Sequence, residues 1–573
     1  MRSEVLVAST VAFLASFCTL VIELVAGRIM APYVGVSLYT WTSIIGVVLA
    51  GISLGAYLGG ALADRCPRYA TLGWLLFGSG LAALAIAPLT DIVGAAGFLT
   101  ARVSLMSRIL LITLMVFFVP SLILGMISPV VVKLTVKDLE RTGNVVGKIY
   151  AFSTLGSILG TFATGFFLIE AMGTRTILYG VGAVLVLCAP IFGRLLARHG
   201  GVRRGLAAAC LVLLGAVLGL LWMERAAIAR PFELKRDDRG TLTVARLDTD
   251  TFYKESSYYT LKVYDDPWHE DERVDEYVPV RTLILDHLIH SYTHMDDPQY
   301  LAYDYLRIYA ELVAWRTSRQ GGTDGLNEFL FVGGGGYTLP RYLDATYPKM
   351  TVDVVEIDPW VTKVAREQLG IDRTRVHSFN ADGRWYVMNC RKKYDFIVGD
   401  AFNDLSIPYH LTTREFDRHL KSILSEDGLL MTLVIDNVRA GQFLPTYIRT
   451  LQDVFGEGNV HLITLDSRDV TEIGTETAIV LASPRPPDME DFKRFLEERT
   501  RRAQAAEDGK AREEQRASVV QSSVSNVVPR ERLHAYMRTR PRKPFVLTDD
   551  YVPADNLVAP MFEERYGYKK KGD

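Results

Sequence analysis

The sequence predicts a polytopic α-helical membrane domain fused to an α/β Rossmann-like domain that carries a small N-terminal β-hairpin domain. Three observations predict it. Charged residues make up 22% of the 573, yet residues 1–223 hold only 22 of them and residues 224–573 the other 106. Apolar stretches long enough to cross about 30 Å of hydrocarbon recur through the first part and stop there. The second part contains an apolar strand, a glycine run, a helical stretch and a further strand ending on an acid. A single soluble globule does not divide its charge in this way, so a fully soluble enzyme, a disordered chain, a fibre and a membrane β-barrel are all excluded.

Within the first part, spans are expected at 5–26, 39–62, 70–90, 108–134, 146–169, 175–193 and 204–223, seven in all. Gly51, Gly55 and Gly59 repeat every four residues, as do Gly156 and Gly160. Small residues at that spacing let helix backbones approach in lipid. Lys and Arg are divided eleven to six between alternate loops, which places the N-terminus in the cytoplasm, at the inner (plasma) membrane of a multi-pass protein. The first apolar stretch exceeds a signal-peptide h-region and more spans follow it, so no cleavable leader is expected.

The first part carries a net charge of +8 and the second −10, which the whole-chain value of −2 conceals. Five cysteines (Cys18, Cys66, Cys188, Cys210, Cys390) form neither a CxxC pair nor a Cys/His cluster, so neither a disulfide framework nor a metal site is expected. Domain boundaries are expected at 1–223 for the spans, 224–295 for the β-strand subdomain, 296–485 for the Rossmann-like domain, and 486–573 for a charged helix, linker and tail. Alternating signs in Glu497-Glu498-Arg499-Thr500-Arg501-Arg502 make a solvated helix rather than a nucleic-acid surface.

Strands are expected at Thr241 to Ala245, Tyr258 to Tyr264 and Arg281 to Leu285, with Asp-Asp-Pro at a turn, and a helix from about 299 to 317. Glu328-Phe329-Leu330-Phe331-Val332 then leads into Gly333-Gly334-Gly335-Gly336, and Val352-Asp353-Val354-Val355-Glu356 ends 20 positions beyond Gly336. Glycines let such a turn pass close to a ligand, and an acid at the next strand's end can hold two ribose hydroxyls. Ala381-Asp382-Gly383 follows a third strand, and Tyr394 to Gly399 is a fourth that ends in Asp400. Ligands in open α/β sheets bind beyond the carboxyl ends of the strands. Glu356, Asp382 and Asp400 all fall at such ends, and a converging set of acids suits a ligand with a ribose, an adenine amine and a cationic group.

From about 252 to 440 the chain resembles the polyamine aminopropyltransferases, the spermidine synthase family, and in particular its membrane-fused branch. The residues that carry the likeness are Tyr258-Tyr259, Leu285-Asp286-His287-Leu288-Ile289-His290, Tyr303, the glycine loop, Glu356-Ile357-Asp358, Ala381-Asp382-Gly383 and Asp400-Ala-Phe-Asn-Asp404. Thr548-Asp549-Asp550-Tyr551-Val552-Pro553 is similar to a stretch common in that branch, and both a fold-back near the active site and a surface tail are open for it.

The resemblance implies a transferase with a decarboxylated S-adenosylmethionine or S-adenosylmethionine co-substrate and no metal. Glu356 would hold the ribose and Asp382 the adenine amine, with Gly333, Gly334, Gly335, Gly336 and Gly383 shaping the donor site. Asp400 and Asp404 would act on the attacking amine, with Tyr259, His290, Tyr303 and Tyr409 around the acceptor. The expected partners are a small amine or lipid-associated substrate and membrane lipids, with no nucleic acid; a homodimer is left open. Three departures stand out. The family loop reads Gly-Gly-Gly-Asp-Gly where this chain has Gly336 and Tyr337, the family's hairpin Gln is replaced by His290, and the second catalytic-loop acid comes four residues after Asp400 rather than three. Activity on putrescine is therefore doubtful by this reading. A polyamine transporter or sensor with a non-catalytic nucleoside-binding domain is the alternative.

Overall fold

The computed structural model describes residues 2–34, 38–94, 105–136, 142–193, 232–236, 242–246, 252–271, 276–286, 288–319, 328–401, 408–465, 468–505, 527–554 and 556–558. Contacts divide the chain into two units, Met1–Thr249 with Glu255–Ser257, and Asp250–Lys254 with Tyr258–Asp573.

The first unit is built on helices α1 (Arg2–Val34), α2 (Leu38–Arg65), α3 (Tyr69–Gly94), α4 (Leu105–Thr135), α5 (Thr142–Ala163), α6 (Ile169–Met172) and α7 (Thr174–Phe192). A π-helical turn at Thr164–Leu168 joins α5 to α6. Six helices among the described residues are long and apolar enough to cross a membrane, one of them formed by α5 with that turn. The seventh expected stretch, 204–223, lies outside the described residues.

The helices pack in pairs, α1 with α5, α2 with α4 and α3 with α7, and the glycines sit at the seams. A Cβ on Gly55 would lie 2.2 Å from the Leu122 carbonyl oxygen and one on Gly156 2.2 Å from that of Phe13. Where α3 and α7 meet, the Arg175 guanidinium grips both oxygens of Asp91 at 2.7 and 2.9 Å, and Tyr33 donates to the same carboxylate. A two-stranded antiparallel ribbon, β1 (Phe232–Arg236) and β2 (Leu242–Arg246), completes the elements of this unit.

The second unit opens with a four-stranded sheet in the order β3 (Phe252–Glu255), β4 (Thr260–Asp271), β5 (Glu276–Leu285) and β6 (Leu288–Thr293). The expected Asp-Asp-Pro turn is instead a break in register within β4, between Asp266 and His269. Pro267 has no N–H to give to a ladder, and a strand with neighbours on both sides accommodates that only by bulging. Helix α8 (Asp304–Arg319) starts later than the periodicity indicates. Tyr300 and Leu301 are buried and so match a helical stripe, but they follow the Asp297 turn, where Tyr300 N–H donates to the Asp297 carbonyl.

A seven-stranded sheet forms the core of the unit. Its strands are β7 (Glu328–Val332), β8 (Thr351–Glu356), β9 (His377–Asn380), β10 (Tyr394–Gly399), β11 (Leu424–Asn437), β12 (Val460–Thr464) and β13 (Thr475–Ala482), in the order β12-β13-β11-β10-β7-β8-β9. All pairs from β11 to β9 are parallel, and β13 runs antiparallel to both β11 and β12. Strands covered on both faces read as continuous apolar runs, as Phe329 to Val332 and Phe396 to Val398 do, all buried. Right-handed crossovers carry the chain through α9 (Thr338–Thr346), α10 (Pro359–Gln368) and α11 (Gly383–Asn389). The chain moves outward from β7 to β8 and β9, then returns to lay β10 against the other side of β7 and β11 beyond it. The switch point is therefore between β7 and β10, where a ligand crevice is expected.

Helices α12 (Arg414–Ile423), α13 (Phe443–Phe455), α14 (Met489–Ala505) and α15 (Arg530–Arg538) complete the unit. The linker expected after α14 lies outside the described residues. Beyond it the chain returns to the sheet: Val528 N–H donates to the Leu462 carbonyl, and Leu547 N–H to Thr450 Oγ1 at 2.9 Å.

Candidate active site

The glycine loop leaves β7 directly at the switch point. Gly333 has φ +101°, and a Cβ there would lie 2.2 Å from the Asp400 carbonyl oxygen. Strand β10 comes in so closely, with Asp400 N–H donating to the Val332 carbonyl at 3.0 Å, that only glycine fits. Gly334 N–H donates to Glu356 Oε2 at 2.7 Å and Asp358 N–H to Oε1 at 2.9 Å. The Glu356 carboxylate is thus held by backbone N–H groups on both oxygens. Burial pushes the Glu356 carboxyl above its ordinary value, opposed by those N–H groups.

Asp382 caps α11, its Oδ1 accepting from Trp385 N–H at 2.9 Å. Its Oδ2 lies 3.1 Å from His410 Nε2; a carboxylate only accepts, so the ring nitrogen donates. Gly383, the first residue of α11, packs so tightly that a Cβ would sit 2.6 Å from Val332 Cγ1. Tyr258 faces this acidic rim. Burial first, and then the carboxylates of Asp358, Asp382 and Glu356, raise its phenol above the ordinary value.

Asp400 faces a cavity of about 660 Å³ whose lining includes Gly334, Gly335, Gly336, His290, Tyr303 and Asp400. Apolar walls are supplied by Leu288, Ile289, Leu433 and Ile435. Burial of its carboxyl raises its pKa from 3.8 to about 6. Tyr303 OH, just before α8, donates to the Ile289 carbonyl of β6 at 3.2 Å, and both residues line the cavity. The structure thus brings Asp400, His290, Tyr303 and the glycine loop onto one cavity. Glu356, Asp382 and Gly383 form a separate rim. Neither Tyr259 nor Tyr409 is part of the cavity wall: Tyr259 packs against the sheet core, and Tyr409 is 59% exposed with its ring edge-on to His410. Asp404 lies outside the described residues.

The Gly336-Tyr337 departure has a visible cause. A Cβ on Gly336 would lie 1.8 Å from Ser291 Oγ and 2.2 Å from its Cβ, so the β6 side chain fills the space an acid at 336 would need. Tyr337 adopts φ +55°, a left-handed conformation that favours glycine; its ring is buried and its hydroxyl lies 3.1 Å from Thr362 Oγ1. Sequence reasoning missed Ser291, because nothing in a strand residue's neighbours announces which loop it will face. It also missed the partners of Arg384, which follows Asp382-Gly383 directly. Arg384 donates to the His410 carbonyl at 2.8 Å and pairs with Asp549 in the returning C-terminal segment.

Residues 320–457 match the family described as Spermine/spermidine synthase domain. A polyamine aminopropyltransferase of Vibrio vulnificus (strain CMCP6) is 38% identical over 134 residues, 22% of this chain and 43% of that protein. A probable polyamine aminopropyl transferase of Bifidobacterium longum (strain NCC 2705) is 31% identical over 151 residues, 26% of this chain and 33% of that one. The chain therefore spans less than half the length of either relative. A crystal structure of a probable spermidine synthase from Corynebacterium glutamicum ATCC 13032 aligns at 21% identity and a TM-score of 0.37, over 43% of this chain and 86% of that one. Residues 320–457 are thus similar in sequence to the spermine/spermidine synthase domain and to these polyamine aminopropyltransferases.

Proposed function

We propose that the chain is a membrane-anchored, spermidine synthase-like transferase. Its donor is decarboxylated S-adenosylmethionine or S-adenosylmethionine, and its acceptor an amine. The observation that carries this reading is the convergence at the switch point: a ribose-competent Glu356 behind the glycine loop, and Asp400 on the far side of the same loop facing a cavity. The match to relatives named polyamine aminopropyltransferases supports the donor class. Six long apolar helices support the anchoring.

In this mechanism Glu356 accepts from both ribose hydroxyls and Asp382 from the adenine amine, which fixes the sulfonium over the loop. The acceptor amine enters the cavity, its apolar body against Leu288, Ile289 and Leu433. Its nitrogen attacks the carbon bonded to sulfur in line. The N–C bond forms, the C–S bond breaks, and sulfur keeps the electron pair. The proton released by the nitrogen passes to Asp400, with Asp404 assigned to hold the acceptor. A carboxyl poised near 6 is ionised at neutral pH yet basic enough to take that proton. Most of the rate comes from positioning.

The test uses the full chain in nanodiscs, with calorimetry of S-adenosylmethionine and 5′-methylthioadenosine and mass spectrometry of products from an amine panel. Glu356→Ala should weaken both ligands by more than 100-fold, since two charge-assisted hydrogen bonds of about 1.5–3 kcal/mol each are lost. Unchanged affinity sinks the ribose assignment. Tight binding without product from either donor form would favour a nucleoside-binding sensor instead.

A further inference from the structure

We propose that Asp549, on the returning C-terminal segment, is a positioning residue for the donor site, acting through Arg384 and His410 on Asp382. The proposal rests on the donor-site reading above.

Every link is a contact in the structure. Asp382 spends Oδ1 on the N–H of Trp385 and Oδ2 on the His410 ring. With both oxygens held, the carboxylate has one orientation and keeps lone pairs for the adenine amine of the donor-site reading. His410 is in a single 3₁₀ turn, Tyr409–Leu411, and a ring on so short an element points at Asp382 only if its backbone is anchored. Arg384 is the anchor: its Nη1 donates to the His410 carbonyl at 2.8 Å and lies 3.2 Å from Thr413 Oγ1.

Arg384 is in turn gripped by Asp549. Nη1 meets Oδ1 at 2.7 Å and Nη2 meets Oδ2, a two-point fork that fixes the guanidinium plane. The grip is built on both sides. Thr413 Oγ1 donates to Asp549 Oδ1 at 2.7 Å, Asp549 N–H donates to Glu415 Oε2 at 3.0 Å, and Arg414 N–H donates to the Leu547 carbonyl at 2.9 Å. Asp382, Arg384 and His410 thus form a small ring, and Asp549 clamps it from 165 residues further along the chain. A lysine at 384 could not present the planar two-point fork that Asp549 grips. Without the fork, Nη1 is free to leave the His410 carbonyl, and the imidazole is no longer fixed against Asp382.

The experiment compares wild type, Asp549→Ala, His410→Ala and the double variant, each as the full chain in nanodiscs. Two probes are used: 5′-methylthioadenosine, and the same thioether nucleoside built on purine without the 6-amino group. Each single variant should weaken the amino-bearing probe about tenfold, and the double variant no further, because both changes cut one path. The purine probe should bind all four proteins alike. Amide exchange at Leu411 and Thr412, whose N–H groups donate to Pro408 and Tyr409, should quicken in Asp549→Ala while the melting temperature holds. Wild-type affinity in Asp549→Ala, losses that multiply in the double variant, or equal losses for both probes would each overturn the proposal alone. A wild type that binds neither probe overturns the donor-site reading and this proposal with it.

Discussion

Asp400 is ionised at neutral pH against the preference of its surroundings. Its folded pKa of about 6 lies above the ordinary 3.8, so the folded state holds its proton more tightly than the unfolded chain does. The stability this supplies is complete below about pH 4 and lost as pH rises through about 6. Asp400→Asn should therefore melt above wild type at pH 8 by up to about 3 kcal/mol, with the gap closing towards pH 4, while product formation falls at least 100-fold. Melts at the two pH values and mass spectrometry check both halves. The same shift predicts a rising limb in kcat/KM near pH 6 that disappears in the variant; for kcat the limb should move lower, because a bound cation favours the carboxylate. A second residue-scale outcome concerns Gly336. Gly336→Asp should be poorly folded because of Ser291, and folding should return in a Ser291→Gly background. That double variant, unlike wild type, should prefer decarboxylated over intact S-adenosylmethionine, read by calorimetry.

Among the elements, what the sequence made legible was whatever local pattern determines. Strand Glu328–Val332 and the end of β8 at Glu356 agree with expectation to the residue, because an apolar run between breakers defines a strand without help from elsewhere. The glycine loop and the acids at the strand ends were legible for the same reason. The Pro267 bulge, the late start of α8 and the absence of Tyr259 and Tyr409 from the cavity wall were not. Each depends on a partner brought in by tertiary packing: a neighbouring strand for Pro267, Val278 and Val280 of β5 for Tyr300, and the main core for Leu301. Ser291 and Asp549 are the clearest cases, since their contacts join segments far apart in the chain. Packing among the membrane helices gives its own prediction. Gly55→Leu, whose first carbon would meet the Leu122 carbonyl at 2.2 Å, should abolish the well-folded fraction in detergent, whereas Gly60→Leu, with open space around it, should not. Fluorescence-detected size exclusion separates the two.

For the molecule as a whole, the question is the side of the membrane on which the sheet unit works. The loop charges place the N-terminus inside, and six crossings would return the chain to the cytoplasm, where S-adenosylmethionine is made. A folding-sensitive fluorescent reporter fused after Asp573 should therefore light up. A reporter active only outside would move the donor to another supply.

The clasp between Arg384 and Asp549 also sets an order in time. A ribosome delivers about 5–20 residues per second from the N-terminus, so the 165 residues that separate the two partners take about 10–30 s to appear. During that interval the helices of the first unit are already synthesised, and the glycine loop, Glu356 and Asp382 exist without the clamp. On the proposed reading, the apolar helices are made before the donor site is clamped, and the clamp forms only once Asp549 has been added. Translation halted just short of Asp549 should therefore leave Arg384 unclamped, so Asp549 marks the point at which the proposed donor site is complete.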